Sequence, residues 1–255
     1  PDDSRSLYEE LSNWCDESTP LYHFPESEIL PFERLIPDAV TTHARIGVLS
    51  ALSNYDSSQL PPVIVASVHA IGQKTLAQQT FKQMTQTIQR GQQIKLTTLL
   101  NQWQSMGYEI EREVTIPGSM SHRGGILDIY PPHAKFPTRI ELLGDKVESL
   151  RSFDPTSQRS LGTMETLELV PAQEILPSLA GTSKLEAFLN LPRKKPQLSA
   201  AEERIRNELN QIMTGQSVEE LPFYAGFFNH GSLLDYFPED GLIVIQNPNQ
   251  VTLSA

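Results

Sequence analysis

Apolar and polar positions follow two different rhythms along this chain. Residues 5–15 place Leu7, Leu11, Trp14 and Cys15 at helical spacing and predict a helix with Cys15 packed on its apolar stripe. Leu21–Phe24 reads as a short strand, and the proline-punctuated segment PESEILPFERLIPD follows it. Residues 42–52 return to the helical rhythm through Ile46, Leu49 and Leu52. Val63–Ala66 is a continuous apolar run rich in β-branched residues, the composition of a strand buried on both faces. Strand alternating with helix predicts an α/β layer.

From about residue 89 the rhythm changes. One helix, Leu96–Met106, carries Leu96, Leu99, Leu100 and Trp103 on one stripe and stops near Gly107. Strand-like pieces then follow at Glu111–Ile116, Gly125–Tyr130, Thr138–Leu143, Lys146–Phe153 and Leu167–Val170, separated by prolines and glycines. They predict a small α+β unit, mainly antiparallel and capped by a helix. After Pro171 the α/β style resumes, with helices over 183–190 and 199–213 on either side of the surface loop LPRKKPQLS. A final apolar strand is expected at Leu242–Ile245, after the turn PEDG. The expected organisation is a discontinuous α/β domain, residues 1–88 and 172–255, interrupted by an inserted domain over residues 89–171.

Composition narrows the class of protein. The 255 residues are 38% apolar and 20% charged, which suits a folded chain. No apolar run approaches the roughly 20 residues that span a bilayer, and no charged start precedes an apolar stretch, so neither a membrane nor a secretory signal is expected. The single cysteine, Cys15, excludes an internal disulfide and fits a reducing, cytoplasmic setting. Net charge is −11, from 31 acidic and 20 basic residues. Residues 89–171 hold nine Lys/Arg and ten Asp/Glu, so the negative charge lies mostly in the flanks. That balance disfavours autonomous binding to a phosphate backbone.

Candidate chemistry is sparse. Gly72-Gln73-Lys74-Thr75 superficially evokes a phosphate loop. That motif needs glycine directly before lysine and a second glycine five residues upstream; here Gln73 intervenes and Ser67 occupies the upstream place. His23, His43, His69, His122, His133 and His230 are scattered without metal-ligand spacing. Ser119, Ser121 and His122 match no nucleophile elbow. No catalytic, metal or cofactor residue is assigned, and the chain is expected to be no enzyme.

The charges of residues 89–171 offer a different possibility. In Thr138–Leu143 strand alternation turns Ile140 and Leu142 one way and Arg139, Glu141 and Leu143 the other. Leu143 then lies on the polar face, about 13 Å from Arg139 at strand rise. An exposed apolar side chain flanking a fixed arginine has the make-up of an interaction hot spot. Arg123 precedes Gly124-Gly125, where the backbone can turn sharply into the next strand. Gly144-Asp145 suits a hairpin turn, and Arg151, Asp154, Gln158 and Arg159 are expected to hold the turn after it and the return. On the residues alone the favoured reading is that these arginines pair with Asp128, Glu141 or Glu148 on a solvated face.

The run PG…RGGILDIYPP…P.RIE..GD.VESLR.FDP.SQRS resembles the signature shared by the excision-repair protein UvrB and the amino-terminal part of the transcription-repair coupling factor family. HFPESEILPFERLIPD, VIVASVHAIGQKTL and FFNHGSLLDYFPEDGLIVIQNP extend the likeness to the flanks. The resemblance implies a decayed helicase-like (RecA-type) outer domain without ATPase activity, carrying an inserted domain that binds UvrA. Arg123 and Arg139 match arginines through which the family contacts UvrA, with Glu141 in the same motif. Leu143 departs from the phenylalanine common in the family's RIELFGD. UvrB itself carries a tyrosine-rich hairpin that clamps damaged DNA, whereas residues 27–62 here contain only Phe32 and Tyr55 as aromatics. The resemblance is therefore to the coupling factor more than to a DNA-binding fragment of UvrB. It further implies a fragment truncated at both ends. The intact protein would be an ATP-dependent translocase that meets RNA polymerase and double-stranded DNA through regions beyond Ala255 and masks the UvrA surface against its own carboxy-terminal end.

Overall fold

The structure is a computed structural model that describes residues 2–16, 18–27, 34–35, 38–178, 183–190, 199–216, 218 and 220–249. Much of PESEILPFERLIPD and nearly all of LPRKKPQLS lie outside the described residues.

The first part contains α1 (Asp2–Trp14), β1 (Leu21–Phe24), α2 (Ala39–Ser53), β2 (Val63–Ala66), α3 (Val68–Gly72) and α4 (Gln78–Met84). Asp38 opens α2 by accepting from the Thr41 amide at 3.3 Å, one of the donors that a helix start leaves free. β1 and β2 pair in parallel with Leu21 opposite Val63, and α1 packs on both. Phe24, Ile46, Leu49, Phe81 and Ala70 fill the core below them, together with Val170, Leu176, Leu233 and Tyr236 from far along the chain.

Two expectations fail here. β2 is only partly buried on both faces: Val65 is buried and Ile64 and Ala66 are half-buried, but Val63, where the strand begins, is 39% exposed. Trp14 does not join the apolar stripe of α1 either. The helix ends at that residue and leaves the ring 81% exposed, while Leu7, Leu11 and Cys15 are half-buried.

β3 (Gln86–Gln89) and β10 (Thr166–Leu169) then form an antiparallel pair, Gln86 opposite Leu169 and Gln89 opposite Thr166. Between them lie α5 (Leu96–Ser105) and six strands: β4 (Glu109–Ile110), β5 (Ser119–Arg123), β6 (Ile126–Ile129), β7 (Thr138–Leu143), β8 (Lys146–Phe153) and β9 (Ser160–Met164). These six make one sheet in chain order, antiparallel from β5 to β9, with β4 parallel to β5. The helical stripe read from sequence packs onto the sheet's inner face. Leu99, Trp103 and Met106 are buried among Met120, Leu127, Ile129, Ile140, Val147 and Leu150. Gly107, with φ of 87°, ends the helix where a side chain would strain the backbone.

The strand expected at Glu111–Ile116 is instead the two residues of β4. Beyond them the chain leaves the sheet, and Pro117 and left-handed Gly118 (φ 79°) turn it back into β5. Val114 is thereby buried with Tyr130 and Phe153 in a separate small cluster.

The helix α2 binds this sheet unit to the first part. Asn54 at its end donates to Glu168 of β10 at 2.6 Å, and Arg45, 2% exposed, forms a two-point pair with Glu174 just past β10. Tyr108 adds a hydrogen bond of 2.9 Å to the Val170 carbonyl.

The remainder forms a third cluster from α6 (Ser183–Leu189), α7 (Ala200–Met213), a short 3-10 turn at Leu221–Tyr224 and α8 (Ala225–Phe228), while a second 3-10 turn, Leu233–Tyr236, returns to the core of the first part. Ser199 and Glu202 open α7 with a reciprocal capping box. Arg34 ties into this cluster through Glu208 and Glu220, at 2.8 and 2.5 Å, and lies over the Phe223 ring. The turn before Leu242 is present, with the Gly241 amide donating to the Pro238 carbonyl. The strand expected at Leu242–Ile245 is not: these residues are 57–85% exposed and pair with no described strand. An apolar run supplies the composition of a strand, but the ladder needs a neighbour.

Candidate functional site

The outer face of the sheet, away from α5, carries the charges singled out from sequence. Pairing sets Ser121, Asp128, Arg139 and Arg151 in one row across β5 to β8, and Ile126, Glu141 and Ser149 in the next. Alternation along β6 accounts for Ile126, which the sequence reading overlooked: Leu127 and Ile129 face the core, so Ile126 and Asp128 face outward.

Arg139 is fixed in place. Its Nε and Nη2 donate to the two oxygens of Asp128, each at 2.7 Å, and its guanidinium lies 4.7 Å from the Phe153 ring centroid. The hydrogen bonds to Asp128 raise its pKa further, so its charge is constant. Asp128 is 2% exposed and Arg139 22%, because the segments around Val114 and Pro155–Gln158 cover this part of the face. The internal pairing that the residues alone favour is therefore realised by Arg139 with Asp128.

Arg123 is placed differently. It ends β5 opposite Ile126, across the two-residue turn Gly124-Gly125, and is 60% exposed. Its Nη2 reaches only to 3.9 Å from Asp128. The turn needs both glycines, for separate reasons. Gly124 has φ of 61°, while a Cβ on Gly125 would stand 2.7 Å from the Leu142 carbonyl oxygen, whose residue donates its amide to Gly125 at 2.7 Å.

Glu141 accepts from the Ser149 hydroxyl at 2.7 Å and from Arg151. The Ser149 bond, and behind it Arg151, hold its carboxyl below the usual range against the opposing effect of burial. Arg151 thus sits on β8 and pairs across the strand, rather than holding the following turn as expected. Asp154 and Gln158 do hold that turn: Asp154 accepts from the Thr156 and Ser157 amides, and the Gln158 amide donates to the Asp154 carbonyl. Past Glu141 the register slips by one residue, with Glu141 opposite Ser149 and Leu142 opposite Val147, so Glu148 is the extra residue of a bulge. Leu143 follows at the strand end, 72% exposed. Arg123, Ile126 and Leu143 are the projecting side chains of this edge, and Arg139 and Glu141 lie lower behind them.

The Gly72–Thr75 segment is committed to the fold. Gln73 accepts from the Ser27 amide at 2.7 Å and from Arg45 at 3.1 Å, and donates to the Ser27 carbonyl at 2.8 Å. Thr75 pairs with Gly231, joining two of the motifs quoted from sequence. Among the described residues no three His, Cys, Asp or Glu gather as a metal site, and no helix is long and apolar enough to cross a membrane.

Comparison with known proteins bears on the same region. Residues 87–175 match the family model of the UvrB interaction domain, bounds that fall in β3 and just beyond β10. The chain is 30% identical over 98% of its length to the transcription-repair-coupling factor of Bacillus subtilis (strain 168). Similarity to the same protein of Myxococcus xanthus is 30% over 88% of the chain, and to that of Escherichia coli (strain K12) 25% over 93%. The chain spans about a fifth of each relative, 21%, 19% and 20% respectively.

Proposed function

Given that residues 87–175 form a UvrB interaction domain, we propose that this chain is the UvrB-like module of a transcription-repair coupling factor and recruits UvrA during transcription-coupled excision repair. One observation carries the reading. The matched domain presents an edge where Arg123, Ile126 and Leu143 are exposed in front of the pre-set guanidinium of Arg139. Basic forks beside exposed apolar atoms suit a partner patch of carboxylates around a shallow apolar socket. The reading is of recognition without catalysis, and no cofactor is assigned to it. RNA polymerase and double-stranded DNA are assigned to parts of the whole protein outside this chain.

The flanking parts are proposed to be one discontinuous unit of decayed helicase-like ancestry. The shared core of Phe24, Leu49 and Phe81 with Leu233 and Tyr236 supports that division. Likeness to coupling factors over 88–98% of the chain favours this reading over a DNA-binding fragment of UvrB.

The test is a titration of the chain against its cognate UvrA beside Arg123→Ala, a change on an exposed side chain. At least a tenfold loss, equivalent to about 1.4 kcal/mol, is expected. Equal binding by the variant moves the site elsewhere, and absence of binding by the intact chain overturns the recruitment role.

A further inference from the structure

Gln158 is one of two described non-glycine residues with a left-handed backbone, at φ of 59°. A side chain at such a position is unfavourable unless something holds it there. Here the holding contacts are its own. Gln158 Nε2 donates to the Pro155 carbonyl at 2.9 Å and reaches the Val114 carbonyl at 3.5 Å, while Oε1 accepts from Arg139 Nη2 at 3.3 Å. The last contact completes the surroundings of Arg139. Of its five N–H groups, Nε and both on Nη2 are directed to Asp128 and Gln158. The two on Nη1 have no partner among the described residues, and the side chain keeps 22% exposure.

We infer that Gln158 is a positioning residue for docking: it sets the Arg139 guanidinium so that Nη1 offers two N–H groups to an acceptor on the partner. This rests on the recruitment reading above and specifies how one arginine acts in it. Asp128 grips the fork along the edge of Nε and Nη2, the Phe153 ring supports its plane, and Gln158 accepts from the far side of Nη2. A donor pair fixed in advance loses less freedom on binding than a mobile arginine does. Glycine would serve the turn at position 158 better than glutamine, so the backbone alone gives no reason for this side chain. Its contacts with Arg139 and the two carbonyls do.

The experiment compares wild type, Gln158→Gly and Gln158→Glu for affinity to cognate UvrA and for thermal stability. Glycine accepts the left-handed backbone, so the Gln158→Gly chain is expected to melt no lower than wild type while binding about tenfold more weakly. Gln158→Glu keeps an acceptor for Arg139 but sets a carboxylate oxygen against the Pro155 and Val114 carbonyls, so it is expected to recover only part of that loss. Undiminished binding by Gln158→Gly, or a loss that follows a drop in stability, overturns the inference. Exchange of the Arg139 Nε–H, followed by NMR on the chain alone, separates the two levels. Faster exchange in Gln158→Gly supports the positioning, and unchanged exchange overturns it whatever UvrA does. Failure of wild type to bind UvrA overturns the recruitment reading instead.

Discussion

Arg139 and Asp128 stand directly opposite each other on β7 and β6, joined by two hydrogen bonds of 2.7 Å, and the carboxylate is the more deeply buried, at 2% against 22%. The pair is therefore part of the fold as well as of the candidate docking edge. Arg139→Ala would strand a buried carboxylate and is expected to cost about 3 kcal/mol of stability. Arg123→Ala, at a 60% exposed position, is expected to change stability by less than about 0.5 kcal/mol. Urea unfolding of the two variants checks the contrast. A binding defect in Arg139→Ala has meaning only after its loss of folded protein is measured.

Position 125 tolerates no side chain. A Cβ there meets a backbone oxygen at 2.7 Å, and neither strand can retreat without opening the β6–β7 ladder. Gly125→Ala is expected to lower stability by about 2 kcal/mol. Nothing lies within 4 Å of a Cβ at Gly124, where only the left-handed backbone (φ 61°) resists substitution. Gly124→Asn, suited to that conformation, is expected to cost no more than about 1 kcal/mol by the same measurement.

The third cluster has an acid-sensitive tie. Burial works against ionising Glu208, but hydrogen bonds from Tyr224, Arg204 and Arg34 outweigh it and lower its pKa from 4.5 to about 2. A carboxyl depressed on folding contributes stability that is full above about pH 4.5 and declines as pH falls toward about 2. Amide exchange in α6 and α7 should accelerate over that window before exchange in the β5–β9 sheet. Glu208→Gln should flatten the dependence. If all regions loosen together in the variant and in wild type, Glu208 is not the tie.

Leu143 offers a gain-of-function test. The family resemblance places phenylalanine there, and the position is 72% exposed at a strand end with room for a larger side chain. Leu143→Phe is expected to leave stability unchanged and to tighten UvrA binding about threefold through added apolar area. Weaker binding would mean that the partner's socket fits leucine.

Much of the architecture was legible because local pattern and tertiary role agreed. Leu21–Phe24, Val63–Ala66, Thr138–Leu143 and Lys146–Phe153 are strands with the bounds read from sequence, and Leu99 and Trp103 mark the buried stripe of α5. Other elements lacked a local signal. β9, SLGTM, is polar and exposed at the end of the sheet, so no alternation marks it, and the Gln-rich β3 exists through its pairing with β10. Glu111–Ile116 alternates like a strand, yet Pro117 and Gly118 redirect it and Val114 is buried outside the ladder.

In the candidate site, parity along β7 placed Arg139, Glu141 and Leu143 on the outer face. Parity could not tell that Arg139 is gripped by Asp128 and held by Gln158, since those contacts close loops of 11 and 19 residues. The partnership of Arg34 with Glu208 spans 174 residues and leaves no trace in local spacing.

The antiparallel neck of β3 and β10 brings the chain into and out of the six-stranded sheet unit side by side. Entry and exit are separated by a single inter-strand spacing, about 5 Å. A unit whose ends meet in this way has the geometry of a cassette, inserted at one point of a host without separating the host elements on either side. In this chain the contacts of α2 with Glu168 and Glu174 are what fix such a cassette, and with it the candidate docking edge, to its host.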